Sequence, residues 1–203
     1  MAFTQLSPGT MLCPVPAVMV SCAAENARPN IITVAWAGTV CSQPPMVSVS
    51  VRKERFSHAI MKESGEFVVN LVGEGQLRAA DFCGVKSGRD TDKFAACGLH
   101  AAPVPEMRFA PAIAECPLYL ACKTEHVLEL GSHDLFIGRV VGMGVQEALI
   151  DDNGKIDLAR ARLTAYNHGV YQNLGGALGF FGYSVAAPDV LERRMKELNK
   201  EGK

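Results

Sequence analysis

Hydrophobic positions along this chain alternate more often than they recur at helical spacing. In Met46-Val-Ser-Val-Ser-Val51, Val47, Val49 and Val51 fall on one side and Ser48 and Ser50 on the other, the period-two signature of a half-buried strand. AVMVSCA (17–23) and EFVVNLV (66–72) are further strand runs, and IITVAWAGTV (31–40) is β-rich but poor in bulk. The breakers ENARPN and SQPP separate the first three runs, which predicts a meander of antiparallel strands over 17–23, 31–40 and 46–51. Between 116 and 147, two long strand-like runs flank Gly131-Ser132 as a hairpin.

Helical signals are short. SHAIMKES (57–64) predicts a helix with Ser57 as N-cap and Gly65 as its stop. GQLRAADFCG (75–84) predicts a second, and 87–99 begins as a polar loop, turns helical and ends at Gly98. Residues 188–203 open with Pro188 and carry Leu191, Met195 and Leu198 on one side, as a docked surface helix does. The pattern predicts one mainly β domain over 1–203, a barrel or sandwich with short inserted helices and a C-terminal helix. Long helices do not alternate with single strands, which disfavours a doubly wound nucleotide fold.

Composition narrows the function classes. The chain has 203 residues, 48% of them hydrophobic, ample for a real core. A formal net charge of −1 argues against a dedicated nucleic-acid binder. Seven cysteines, odd in number and without a C-x-x-C, argue for reduced and mostly buried thiols rather than a disulfide framework or a zinc site. The run MLCPVPAVMVSCAA (11–24) lacks a positive n-region before it and is interrupted by two prolines, so it does not read as a signal core. No run is long enough for a membrane helix, and a cytoplasmic protein is expected.

Familiar signatures fail. Tyr119 and Lys123 match Y-x-x-x-K but lie in a strand run, and Gly142 and Gly144 do not complete G-x-G-x-x-G. There is no Walker A loop, H-E-x-x-H or G-x-S-x-G.

Two features carry chemistry. The strand ending at Val51 places Arg52, Lys53 and Arg55 immediately before a helix start at Phe56-Ser57-His58. A helix N-terminus offers free N–H groups and partial positive charge, which with these cations suits a phosphate. Ser50 and Ser57 add hydroxyls. The same pattern also fits three exposed cations decorating a turn. Upstream, Ala35, Ala37 and Gly38 remove bulk from a strand, as happens where something flat approaches the backbone. Trp36 either walls that space or belongs to the core. A flat ring plus a phosphate is the outline of a flavin mononucleotide.

Asn30-Ile-Ile-Thr33-Val-Ala-Trp36, Pro44-Pro45-Met-Val-Ser48-Val-Ser50-Val, Ser57-His58-Ala-Ile60 and Ser64-Gly65-Glu-Phe-Val-Val-Asn70 follow one another in an order that resembles the flavin reductase-like family. These are FMN-binding split-barrel proteins, and the flavoredoxin-like subgroup is the nearest. Ser87-Gly-Arg-Asp-Thr-Asp-Lys93-Phe94 and Gly131-Ser-His133-Asp-Leu-Phe-Ile-Gly138 extend the resemblance over roughly 10–185.

The resemblance implies FMN as cofactor and a homodimer with flavin at or near its interface. Carried over by position, Thr33, Val34, Ala35 and Trp36 would line the isoalloxazine edge, and Ser50, Val51 and Arg52 would lead toward the ribityl chain. Arg55, Phe56, Ser57 and His58 would hold the phosphate, with Ser87, Gly88 and Lys93 on a nearby loop. His133 matches the histidine of a Gly-Asp-His motif placed near the nicotinamide in some reductases, here with Ser132 in the middle. The function implied is electron transfer from NAD(P)H through FMN to flavin or another acceptor. The alternatives are an FMN electron carrier reduced by a protein partner and a non-catalytic flavin or tetrapyrrole binder. Tyr166–Tyr183, rich in glycine and aromatics, is either a packed loop or part of the substrate opening, with His168 a weak candidate on the substrate side.

Overall fold

The structure is a computed structural model, and it describes residues 1–201. Its centre is a seven-stranded antiparallel sheet in the order β3-β2-β6-β9-β10-β5-β4. These strands are β2 (Val18–Ala24), β3 (Ala27–Val34), β4 (Ala37–Ser42), β5 (Pro45–Arg52), β6 (Glu66–Leu71), β9 (Leu118–Leu130) and β10 (His133–Val145). The short strand β1 (Val15–Pro16) precedes them, and β7 (Ala101–Ala102) pairs with β8 (Ala112–Ile113).

The expected meander is only half present. β2 pairs with β3, but the small-residue run 31–40 divides at Ala35–Trp36 into β3 and β4, which lie at opposite ends of the sheet. β5 pairs with β4 and β10, not with β3. The reason is local: Ala35, Ala37 and Gly38 leave the chain free to turn a sharp corner that bulkier strand formers resist. The two edge strands, β3 and β4, are joined directly by this corner, and the β4–β5 pairing runs on into it, with Ser50 N donating to Trp36 O at 2.9 Å. The barrel is therefore closed by the chain itself rather than by a strand ladder, and it is split there.

Alternation sets the inside. Val47, Val49 and Val51 face the core with Val18, Val20, Phe67 and Phe136, while Ser48 and Ser50 are half-buried on the other face. Each fully buried side chain of this size contributes about 1.5–3 kcal/mol. The barrel end is plugged by α1 (Phe56–Ser64), whose Ile60 and Met61 join that cluster. Residues of the opposite parity, Met19 and Ile31, pack outward against α2 (Leu77–Val85) and α3 (Lys93–Cys97) through Ala80, Cys83 and Phe94. Gly138 is required on β10, since a Cβ there would lie 2.5 Å from the Phe67 ring.

Helix ends differ in part from expectation. Gly65 and Gly98 stop α1 and α3 in the left-handed conformation, at φ 66° and 63°. The N-cap of α1 is Arg55, with no side-chain cap, and Ser57 lies inside the first turn. Ser57 cannot cap because its hydroxyl is buried against Asn30, whose Nδ2 donates to it at 2.7 Å. Residues 164–173, not foreseen as regular, form a hairpin of β11 (Thr164–Asn167) and β12 (Val170–Asn173), with β11 paired to β1. Its turn takes positive φ at His168 (45°) and Gly169 (103°), which matches the right-handed twist of the strands. Helix α4 (Pro188–Glu201) covers the expected C-terminal helix, whose last two positions lie outside the described residues. All seven cysteines are free, and Cys22, Cys83, Cys116 and Cys122 are buried, with thiol pKa pushed up to about 12 chiefly by burial.

Candidate functional site

A cleft of about 390 Å³ opens at the barrel corner. Its floor is the corner itself, Thr33 to Trp36, and the neighbouring stretch of β5, Ser50 to Arg52. Ala17, Ile32 and Val34 make it apolar at depth, while Gly84 and Val85 of α2 and Tyr166, Gly169 and Tyr171 of the β11–β12 hairpin form the opposing wall. The small residues at the corner leave backbone polar groups within reach of whatever enters. The Thr33 hydroxyl itself donates to Ala80 O, so it holds β3 to α2 rather than offering its proton to the cleft. Trp36 is 37% exposed and lines the cleft, which settles it as a wall and not as core.

A second cavity of about 250 Å³ adjoins the first and shares Ile32, Arg52 and Arg55 with it. It is predominantly cationic: Lys86, Arg89 and Lys93 also line it against a single acid, Glu54, with Phe56, Ser57, Ser87 and Gly88. Phe56 and Ser57 begin α1, so their N–H groups have no carbonyl one turn earlier to bond. Since Ser57 Oγ already accepts from Asn30, its own O–H is left to donate. Among the described residues Arg55 forms no ion pair, whereas Arg52 is paired with exposed Glu54 at 3.0 Å. Gly88 lets its loop approach β3 and α1 closely, since a Cβ there would lie 2.1 Å from Asn30 Oδ1 and 2.8 Å from the Phe56 ring.

Of the residues singled out from sequence, Thr33, Val34, Ala35, Trp36, Ser50, Val51, Arg52, Arg55 and His133 line the cleft. Arg52, Arg55, Phe56, Ser57, Ser87, Gly88 and Lys93 line the cationic cavity. Lys93 is nearly buried, and its Nζ donates to Ile31 O at 2.7 Å and Cys83 O at 2.8 Å. Burial, with Arg55 nearby, holds its pKa below the usual lysine value. His58 lines neither cavity: it is buried, its Nε2 lies 2.8 Å from Asp134 Oδ2, and its ring meets Phe136 edge-on. His133 stands at the cleft mouth opposite Arg52, with Nδ1 2.9 Å from Ser132 Oγ.

A family model, the flavin reductase like domain, matches residues 10–175. The chain belongs to the flavin reductase-like family. Among solved structures it is similar to flavoredoxin of Desulfovibrio vulgaris (Miyazaki F), at 31% identity and a TM-score of 0.83 over 91% of this chain and 99% of that one. Nitrilotriacetate monooxygenase component B from Bacillus cereus shares the fold, with a TM-score of 0.80 at 22% identity over 89% of this chain and all of that one. Among curated proteins it is similar to the reductase component of 4-nitrophenol 4-monooxygenase/4-nitrocatechol 2-monooxygenase from Rhodococcus opacus, 30% identical over 124 residues. That match covers 61% of this chain and 63% of the relative, under two thirds of its length. The split barrel is thus the family's fold, and α4 follows the residues that the family model matches.

Sequence reasoning missed several lining residues. Asp81 lies in the helix expected over 75–84 and Val85 one residue beyond that range, and nothing in that stretch signalled a ligand wall. Tyr166 and Tyr171 stack edge to face at 5.5 Å, and the Tyr171 hydroxyl donates to Asp81 Oδ1 at 3.3 Å. Burial and the Asp81 carboxylate push Tyr171 up to about 12. The glycine-aromatic composition of 166–183 was the one signal pointing at this wall. Among the described residues no helix is long and apolar enough to cross a membrane, and no cluster of potential metal ligands occurs.

Proposed function

We propose that this chain is an FMN-binding oxidoreductase that passes electrons from NAD(P)H to flavin or another acceptor. The observation that carries this reading is the continuity of an apolar, ring-sized cleft with a cationic pocket through Ile32, Arg52 and Arg55. The residues fit the group. The corner from Thr33 to Trp36 offers backbone donors and acceptors to a ring edge, and Val51 and Ser50 continue along it. Arg55, the Ser57 hydroxyl and the first N–H groups of α1 suit a phosphate by charge-assisted hydrogen bonds. Lys93 adds a buried amine beside Arg55.

A bound flavin supplies the redox chemistry, and the protein supplies position, exclusion of water and local charge. The apolar depth around Ile32 and Val34 keeps water from one side of the ring. The backbone N–H groups of the corner would offer donors to a bound flavin ring, and Arg52 would lie where the cleft passes into the cationic cavity. His133, at the mouth, offers a hydrogen-bonding ring to an incoming nicotinamide. The proposal includes a homodimer with the cleft at or near its interface and a cytoplasmic setting.

A second reading, an FMN carrier reduced by a protein partner, draws support from Ser132 standing before His133 and from the likeness to flavoredoxin. An anaerobic absorbance scan of protein purified without added flavin separates the two. A flavin spectrum that bleaches on adding NADH or NADPH supports the reductase and names its donor. A spectrum unchanged by both supports the carrier, and a protein that takes up no FMN on titration overturns both.

A further inference from the structure

We propose that Asp134 is the positioning residue of the phosphate cradle: through His58 it pins the first turn of α1 to β10 and so sets how Arg55 and Ser57 meet the phosphate. This rests on the reading of the cationic cavity as a phosphate site. Strand alternation puts His133 and Asp134 on opposite faces of β10, one toward the cleft mouth and one inward toward α1. Asp134 is 1% exposed. Its Oδ2 lies 2.8 Å from His58 Nε2, and its Oδ1 lies 3.4 Å from Lys53 Nζ. Oδ1 makes no hydrogen bond, and Lys53 is shared with Glu129 at 3.2 Å. The one directional bond of this buried carboxylate is thus to His58.

That bond has a specific consequence for α1. The helix has no side-chain N-cap, and bonds to the side chains of Ser57 and His58 hold its first turn instead, beside a long contact from Cys22 Sγ to Ser57 O. Asn30 of β3 donates to Ser57, and Asp134 of β10 binds His58. Phe136, two residues further on β10, meets the His58 ring at 5.3 Å and fixes its plane. An apolar pair would fill the same space without the cost of burying a charge, so packing alone does not account for the carboxylate.

Charge and position act in opposite directions here, which makes the proposal testable. A carboxylate beneath an anion site opposes the anion, while a carboxylate that orients His58 favours it. Asp134→Asn removes the charge but keeps an oxygen that accepts from the His58 N–H, whereas Asp134→Ala removes both. The measurement is flavin-fluorescence titration of the purified full-length protein with FMN and with riboflavin, alongside thermal unfolding of each variant. Expected is a roughly tenfold or larger rise in the FMN Kd for Asp134→Ala, about 1.4 kcal/mol, with riboflavin nearly unchanged. For Asp134→Asn, FMN binding is expected to stay at or above the unaltered level. Should Asp134→Ala fail to fold, His58→Phe, which keeps the ring against Phe136 without the bond, is expected to show the same selective loss. Tighter FMN binding by both Asp134 variants would mean that only charge matters and would overturn the proposal. An FMN preference that survives in both Asp134→Ala and His58→Phe overturns it as well. Equal binding of FMN and riboflavin by the unaltered protein overturns the phosphate reading itself, and the proposal with it.

Discussion

At the scale of the residue, Arg55 and Gly88 make opposite kinds of contribution to the same pocket. Arg55 is half-buried at the start of α1 and forms no ion pair among the described residues, so its guanidinium is uncommitted. Arg55→Ala is expected to weaken FMN at least tenfold, in line with loss of a charge-assisted hydrogen bond of about 1.5–3 kcal/mol, while riboflavin binding changes little. Comparative titration of the two flavins checks this, and equal losses would remove the anion-site argument. Gly88 contributes by the absence of a side chain. A methyl there meets Asn30 Oδ1 at 2.1 Å and the Phe56 ring at 2.8 Å. Gly88→Ala is expected to cost about 1–3 kcal/mol, visible as a lower Tm, because it pushes apart the loop and the helix turn that Asn30 joins. The need for the arginine was legible in the cationic run; the glycine was named only through the family resemblance, and its steric reason was hidden because its neighbours come from β3 and α1, far away in sequence.

At the scale of the element, buried polar groups tie the pieces together. Glu66, at the start of β6, is buried and accepts from Arg108 N, Phe109 N and Ala110 N at 2.9–3.4 Å, fixing a loop that has no regular structure of its own. Lys93 joins α3 to β3 and α2 through Ile31 O and Cys83 O. Lys93→Met would leave both carbonyls buried and unpaired, and a loss of about 2–4 kcal/mol is expected in denaturant unfolding. Asp134 adds a pH signature. Burial works against its charged form, but the bond from His58 and the charge of Lys53 outweigh this and hold its pKa below the ordinary carboxyl value of 3.8. With the folded-state value depressed, its stabilising effect is complete above 3.8 and is lost as pH falls through the lower folded-state value. The Tm difference between the unaltered protein and Asp134→Asn should therefore hold steady above that point and shrink in stronger acid. A difference that is flat across the acid range would remove the charged bond as its cause. His58, Lys53 and Glu129 are the charged or titratable neighbours in this contact.

At the scale of the whole molecule, the split in the barrel is what makes a site. Because β3 and β4 part at Ala35–Trp36 instead of pairing, their backbone is free to face a ligand, and the hairpin from Thr164 to Asn173 stands across the gap. Trp36, Val40, Leu128, Leu130 and Met143 leave apolar surface exposed on the sheet. A homodimer that covers the cleft predicts light-scattering mass near twice that of the chain with flavin bound, and a flavin-loaded monomer would contradict it.

The sequence by itself determined whatever depends on near neighbours. The period-two runs became strands, Gly65 and Gly98 ended their helices, Gly131-Ser132 turned the long hairpin, and the cations gathered at the entry to α1, because backbone propensity and local charge act over a few residues. The order of the segments from Asn30 to Gly138 also carried the family resemblance. Only the tertiary structure decided what depends on closure. It broke one β-rich run into two strands at opposite ends of the sheet, took Ser57 from the cap position into a bond with Asn30, and turned His58 from the cavity toward Asp134. It also brought Tyr166 and Tyr171 across from Trp36. Each of these outcomes arises because curling the sheet into a barrel brings distant strands into contact, and a buried polar group bonds the partner that closure presents rather than the one beside it in the chain.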